Sequence, residues 1–463
     1  MAKRPLNVER KKEIEKIRLG LPMVEKFDQN ALEREKELLR QIDANPSRLS
    51  RWRGYWRLSG PGWLQSAVTL GAGSAASSLF AGSVFGYKLL WVQPVSILLG
   101  IVMFAAIGKQ ALITRARPYD VFWTKLHPAL ALFWGFNVLL ASIVWQFPQY
   151  SLGSAVILDI FDVWNLHPPK WLIAAALLVT ATYICWGYGR GKRRQIMLFE
   201  RTLKYLVLLM ISAFAMVVIK TGINWSELFK GYFGFYLPKD IKGITIVLGA
   251  LGAAVGVNMT FLYPYSMLAR GWAREHMGLK NFDLVLNMLI PFVFATSLVI
   301  IATANTLHIR GIEVKNALDV SHILEPIIGL TFARIVFSVG IFSMCLTTMI
   351  LEMLICGFIL SEMFHFELQG NAYKWATMVA NIGILGAFYS MPFWLPVITS
   401  SFNLIMLPIA YASFFILQNR KDYLKNHVNR GLKGYSWNLL MLLAIFIVGM
   451  GAWAKLLSVL GLI

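Results

Sequence analysis

Two stretches of this sequence place small and polar residues in the middle of apolar runs. Leu70-Gly71-Ala72-Gly73-Ser74 interrupts one, and Gly256-Val257-Asn258-Met259-Thr260 interrupts another, after Gly249 and Gly252 and ahead of Pro264. Proline removes a backbone donor and disfavours helical geometry at the residue before it. A helix that breaks inside lipid leaves carbonyls and amides without partners, which is tolerable only where they line a cavity or hold a solute. The chemistry on offer is recognition of a small solute. Gly71, Ala72 and Gly256 would present backbone groups, Ser74 and Thr260 hydroxyls, Asn258 an amide and Met259 a thioether. Close helix packing, the common use of small residues in membrane helices, is the competing reading.

Glu352 is an acid within an apolar run. Intramembrane acids are costly and mark an ion pathway or a paired interior site; an interhelical hydrogen bond is the plainer alternative. Gln146, Gln149, Ser400 and Asn403 are candidates for lining a pathway, as are Ser343, Thr347 and Thr348, and each could instead be hydrogen-bonding glue between helices. The seven histidines fall in loops or near the ends of apolar runs, without metal-cluster spacing. Cys185, Cys345 and Cys356 sit inside apolar runs and read as packing residues. No P-loop, dinucleotide fingerprint or nucleophile elbow is present, which disfavours catalysis and ATP-driven transport. No cofactor is expected.

The elements that must position these residues are membrane spans. Hydrophobic residues make up 57% of the chain and charged ones 15%, against about a quarter charged in soluble domains. Charge is dense in residues 1–57 and then retreats into short islands. With about 20 apolar residues per span, the sequence accommodates about eleven, the first at 61–83, the sixth at 244–268, the eighth at 333–360 and the last at 437–462. Arg115, Arg117 and Lys125, then Arg190 to Arg194, then Arg270, Arg274 and Lys280, then Arg420 to Lys433 load alternate loops. By the positive-inside rule the amino terminus is cytoplasmic, and the net charge of +20 serves orientation against the lipid bilayer rather than nucleic acid. No cleavable signal peptide is visible, and a bacterial inner membrane is the simplest location. The expected division is a charged cytoplasmic region (1–57), a ten-helix transport core (58–420), and a cytoplasmic loop with one further helix (421–463). Residues 8–42 read either as an amphipathic helix on the anionic leaflet or as a solvated arm. The two interrupted spans are the first and the sixth, matching members of two five-span halves. That is the sequence pointer to an inverted-repeat transporter with a midplane site.

Gly60-Pro61-Gly62-Trp63-Leu64, followed by Gly82-Ser83-x-Phe85-Gly86-Tyr87-x-Leu89-Leu90-Trp91, resembles the Nramp divalent-metal transporters. Looser likenesses follow at 193–200, Leu262-Tyr263-x-x-Ser266 and Leu407-Pro408. The resemblance implies an all-α polytopic membrane protein of the LeuT type, a 5+5 inverted repeat with an additional eleventh helix here. It also implies a divalent metal cation as cargo. The departures are specific. The family's Asp-Pro-Gly-Asn break reads Gly71-Ala72-Gly73-Ser74, and its metal-binding methionine aligns with Asn258, or with Met259 after a one-residue shift. Ser74, Asn258, Met259 and Thr260 are then the candidate metal ligands. Loss of the aspartate argues against tight Mn2+ or Fe2+ binding and for Mg2+ or a related ion, which prefers oxygen and keeps several waters. The acids and histidines that couple family members to protons are also missing, with no Asp or Glu in 58–118 or 121–158. Transport without obligatory proton symport is expected. Carriage of an amino acid or other organic solute, and a non-transporting sensor or scaffold, are the alternatives; the oligomeric state is not legible.

Overall fold

A computed structural model of the chain describes residues 29–188, 205, 208, 211–212, 214–312, 314, 329–365, 370–388 and 395–459. The described residues contain helices and turns and no strand. Seven helices among them are long and apolar enough to cross a membrane. The fifth expected span is described only in part, and the basic island at 190–194 lies outside the described residues.

In chain order, α1 (Gln29–Ala44) and α2 (Arg48–Leu58) precede the membrane-spanning part. Ser47 starts α2 by accepting from the Ser50 amide, as an N-cap should. Next come α3 (Pro61–Thr69), α4 (Ala72–Phe85), α5 (Val92–Thr114), α6 (Pro128–Val163) and α7 (Lys170–Tyr188). After them run α8 (Trp225–Phe233), α9 (Ile241–Ala254) and α10 (Val257–Ala269). The helical run Arg274–His308 is α11, and α12 is Leu330–Phe364. Lastly, α13 (Asn371–Met378) leads through a 3-10 stretch towards α14 (Leu395–Asn419) and α15 (Gly431–Val459).

The most extensive packing is between α6 and α12, followed by α9 against α14 and α14 against α15. Glycine permits the second of these: a Cβ on Gly252 would stand 1.9 Å from the Ser400 carbonyl oxygen. On α15, Leu439, Leu443, Phe446, Met450 and Trp453 form an exposed stripe at helical spacing, while Met441, Ala444 and Val448 are buried against the bundle. An apolar stripe of that extent requires lipid as its solvent.

The region before the first span is tied to the bundle. Leu32 and Leu39 of α1 are buried, the Trp272 indole donates to Glu35 at 3.1 Å, and Lys36 pairs with Glu275 at 3.1 Å. For its described part, 29–42, the segment expected to lie on the leaflet or in solvent packs instead on the protein, because its leucines find an apolar seat beside the turn after α10. At the other end of α2, the amides of Gly60 and Gly62 donate to the two oxygens of Asp283, at 3.1 and 2.6 Å. This carboxylate caps the amino end of α3, where helix amides lack internal partners and a negative charge is favoured.

Candidate substrate site at the paired helix breaks

The two interrupted spans break where their small residues fall. The α3 helix gives way at Leu70 (φ −85°, ψ 32°), and extended backbone at Gly71 (φ −80°, ψ −174°) leads into α4. The other break passes through Val255 (φ −148°, ψ 114°) and Gly256 (φ −96°, ψ 160°) into α10. These angles are open to any residue, so the glycines serve clearance. A Cβ on Gly71 would lie 3.0 Å from the Thr348 hydroxyl, and one on Gly256 would lie 2.3 Å from the Asn258 side-chain oxygen.

Both breaks open onto one small cavity. Gly71 and Val68 line it from span one, Gly256, Asn258 and Met259 from span six, Trp145 from α6, and Thr348 and Glu352 from α12. Its room for a water-sized body is about 10 Å³, about the minimum needed to admit one water. Asn258 Nδ2 donates to Glu352 Oε1 at 2.6 Å, and the Met259 amide donates to Asn258 Oδ1 at 2.9 Å. The Met259 sulfur accepts from the Gly256 amide at 3.4 Å and from the Thr69 hydroxyl at 3.9 Å. Glu352 Oε2 and Thr348 Oγ1 are buried without a hydrogen-bond partner. A buried carboxylate supported by one amide, with the Ser142 hydroxyl beside it, is incompletely compensated. The donor set is therefore one carboxylate with amide, hydroxyl, carbonyl and thioether groups, a cage suited to a cation.

Of the residues singled out in the sequence, Gly71, Gly256, Asn258, Met259, Thr348 and Glu352 are brought together. Asn258 and Met259, the two positions that could match the family's methionine, both line the cavity. Ala72 opens α4 at the edge of the break. Ser74 and Thr260 do not line the cavity. The Ser74 hydroxyl donates back to the Gly71 carbonyl at 3.0 Å; that of Thr260 donates to the Val257 carbonyl and accepts the Trp134 indole at 3.1 Å. Each satisfies a nearby backbone carbonyl, which a short hydroxyl side chain does readily. Gln146 donates to the Met349 carbonyl at 3.0 Å, joining α6 to α12, and Ser400 donates to Pro396 within α14 at 2.7 Å. Gln149 is buried with both amide atoms unpartnered, as is the Asn403 nitrogen.

Sequence reasoning placed a single acid within the apolar runs. Among the described residues, Asp283, Glu352 and Glu362 are all buried. The eighth span was expected to end at 360, but α12 continues to Phe364, which brings Glu362 inside. Arg117 pairs with it at 2.9 Å, and the Tyr265 hydroxyl donates to its other oxygen at 2.8 Å. Arg117, counted among loop charges, is the partly buried half of this pair; its position two residues from Arg115 gives no sign of that. No group of three or more His, Cys, Asp or Glu side chains that could hold a metal occurs among the described residues.

Residues 62–456 match the family model described as natural resistance-associated macrophage protein-like. A divalent metal cation transporter MntH of Nostoc sp. is 24% identical over 441 residues, covering 90% of this chain and 94% of that protein. Among solved structures, a manganese transporter of Eremococcus coleocola superposes with a TM-score of 0.67 at 15% identity, covering 87% of this chain and 88% of its own. MhsT, solved with L-phenylalanine, gives 0.55 at 14% identity, covering 88% and 99%. These likenesses establish the LeuT-type inverted-repeat fold, in which irregular backbone at the middle of paired helices faces a shared cavity.

Proposed function

The chain belongs to the Nramp family, and from that premise we propose that it carries a divalent cation, Mg2+ or a related ion, between the two helix breaks. The observation that carries the reading is Glu352: a buried carboxylate with one oxygen unpartnered, beside a cavity with room for about one water. An amino acid is several times larger than that space, so the closed cavity favours an ion over an organic solute. Asn258 Oδ1, Thr348 Oγ1 and the backbone at Gly71 add oxygens, and Met259 adds one soft donor. Oxygen-rich surroundings with a single carboxylate suit a hard ion, and the closed cavity has room for the ion itself but not for a shell of waters around it.

Transport proceeds without obligatory proton symport in this reading. Its support is the sequence, in which 58–118 and 121–158 hold no acid. The protein is an integral multi-pass membrane protein, and we place its amino terminus on the cytoplasmic side of a bacterial inner membrane, following the basic loops.

Proteoliposomes loaded with a divalent-sensitive dye and a pH dye test both parts. Uptake of Mg2+ or Mn2+ without acidification of the lumen is expected, and Glu352→Gln should abolish most of it. Stabilisation by amino acids with no ion uptake would replace this reading with an organic-solute carrier. A protein that responds to neither would be a scaffold. Ion uptake with stoichiometric acidification would remove the uncoupled part alone.

A further inference from the structure

A second cavity, of about 540 Å³, lies away from the helix breaks, where α5, α11, α14 and the loop before α15 converge. Its charges are Lys109 from α5, Arg274 and Lys280 from α11, His427 and Arg430 from the loop, and Lys433 from α15. No Asp or Glu lines it. Lys109 donates to Asn429 Oδ1 at 2.8 Å, and Lys280 to the Ala105 carbonyl at 2.8 Å. Both partners are neutral. Lys280 is only 2% exposed, and a cation buried to that degree is normally paired. Arg274 crosses no ion-pair distance to an acid among the described residues. The local field is positive enough that the His427 imidazole, lowered first by burial, is pushed further below its ordinary value by Arg274 and Lys109.

We propose that this cavity binds an anion bearing a phosphomonoester or diphosphate group, supplied by a lipid headgroup or by a soluble phosphate compound. Arg274 and Arg430 offer planar forks that match phosphate oxygens in pairs, and Lys109, Lys280 and Lys433 offer point charges. The volume exceeds what one small inorganic anion needs and falls within the range of about 300–1,000 Å³ typical of small-molecule sites. Arg274 neighbours Glu275, which is held by α1, so the cavity opens on the membrane face that carries the α1 region. If that face is cytoplasmic, it borders anionic headgroups. An anion seated here would join α15 and its loop to α5 and α11, adding to the Lys109 bond from α5 and the Gln418 bond from α14 that both reach Asn429, at 2.8 and 3.0 Å.

The test uses the full chain purified in a neutral detergent, probed with sodium pyrophosphate and separately with dioctanoyl phosphatidic acid. Sodium chloride at matched ionic strength and dioctanoyl phosphatidylcholine are the controls. A rise in Tm of several degrees with at least one phosphate probe, and with neither control, is expected. Response to pyrophosphate assigns a soluble source, and response to the lipid alone assigns a headgroup. The exposed double variant Arg430→Gln, Lys433→Gln should bind about tenfold more weakly while melting, unliganded, as the parent does. Lys280→Gln should lose binding as well; should it not fold, the double variant decides. No shift with either probe, an equal shift with sodium chloride, or full affinity in the double variant would overturn the proposal.

Discussion

At the first break the polar side chain, Ser74, turns back onto the Gly71 carbonyl at 3.0 Å; at the second, Asn258 reaches across to Glu352 on α12 at 2.6 Å. The backbones are alike, each an extended glycine joining two half-helices. Their side chains are used in opposite ways. One break spends its hydroxyl on local geometry, and the other spends its amide and its sulfur on the shared cavity. Repeats related by fold thus contribute a common scaffold and separate chemistry, and function must be read from the site. The negative charge comes from neither break but from α12.

If that division is right, the largest effect should come from α12. Glu352→Gln keeps the shape and the Asn258 bond, so Tm should barely move, while dye-reported ion uptake should fall on the order of a hundredfold, the scale of losing one charged ligand. Uptake near the parent level would return the charge to some other group and dissolve the comparison. Next in size is Gly252→Ala, which drives a Cβ into the Ser400 carbonyl at 1.9 Å. Overpacking of that kind costs about 1–3 kcal/mol, readable as a lowered Tm, whereas Gly71→Ala, which meets the Thr348 hydroxyl and the Val68 carbonyl oxygen at 3.0 Å each rather than 1.9 Å, should cost less. Met259→Leu removes the soft donor at nearly constant volume. It should lower Mn2+ uptake relative to Mg2+ by about three- to tenfold in a competition assay, since softer metals gain more from sulfur. Smallest of all, Ser74→Ala should change uptake by less than about twofold, because its bond is local and worth about 1 kcal/mol. A large loss there would show that the first break is a ligand after all.

Much of the fold was legible because its signals are local. Runs of apolar residues, glycines within them and Pro264 announce spans and breaks without reference to anything distant. The directions of Ser74 and Thr260 were not legible, since a hydroxyl chooses between a cavity and the preceding turn by rotamer. Asp283 and Glu362 were missed for another reason. Each lies close to an apolar run's edge, where a charge ordinarily reaches water, and burial follows only once partners far away in the sequence are in place, Gly60 and Gly62 for Asp283 and Arg117 for Glu362. The Gly60-Pro61-Gly62 motif was visible as a likeness; its physical cause is that carboxylate. A Cβ on Gly62 would stand 2.5 Å from the Asp283 carbonyl oxygen, and proline suits the first turn because it lacks the amide that would need capping.

The Asp283 clasp on α3 would also slow any opening at the amino half of span one. Any excursion that swings the amino half of span one away from α11 must first release two amide bonds to a buried carboxylate. At about 1.5–3 kcal/mol each, they add roughly 3–6 kcal/mol to the climb, two to four decades of dwell time at 1.36 kcal/mol per decade. Asp283→Asn would shorten that dwell.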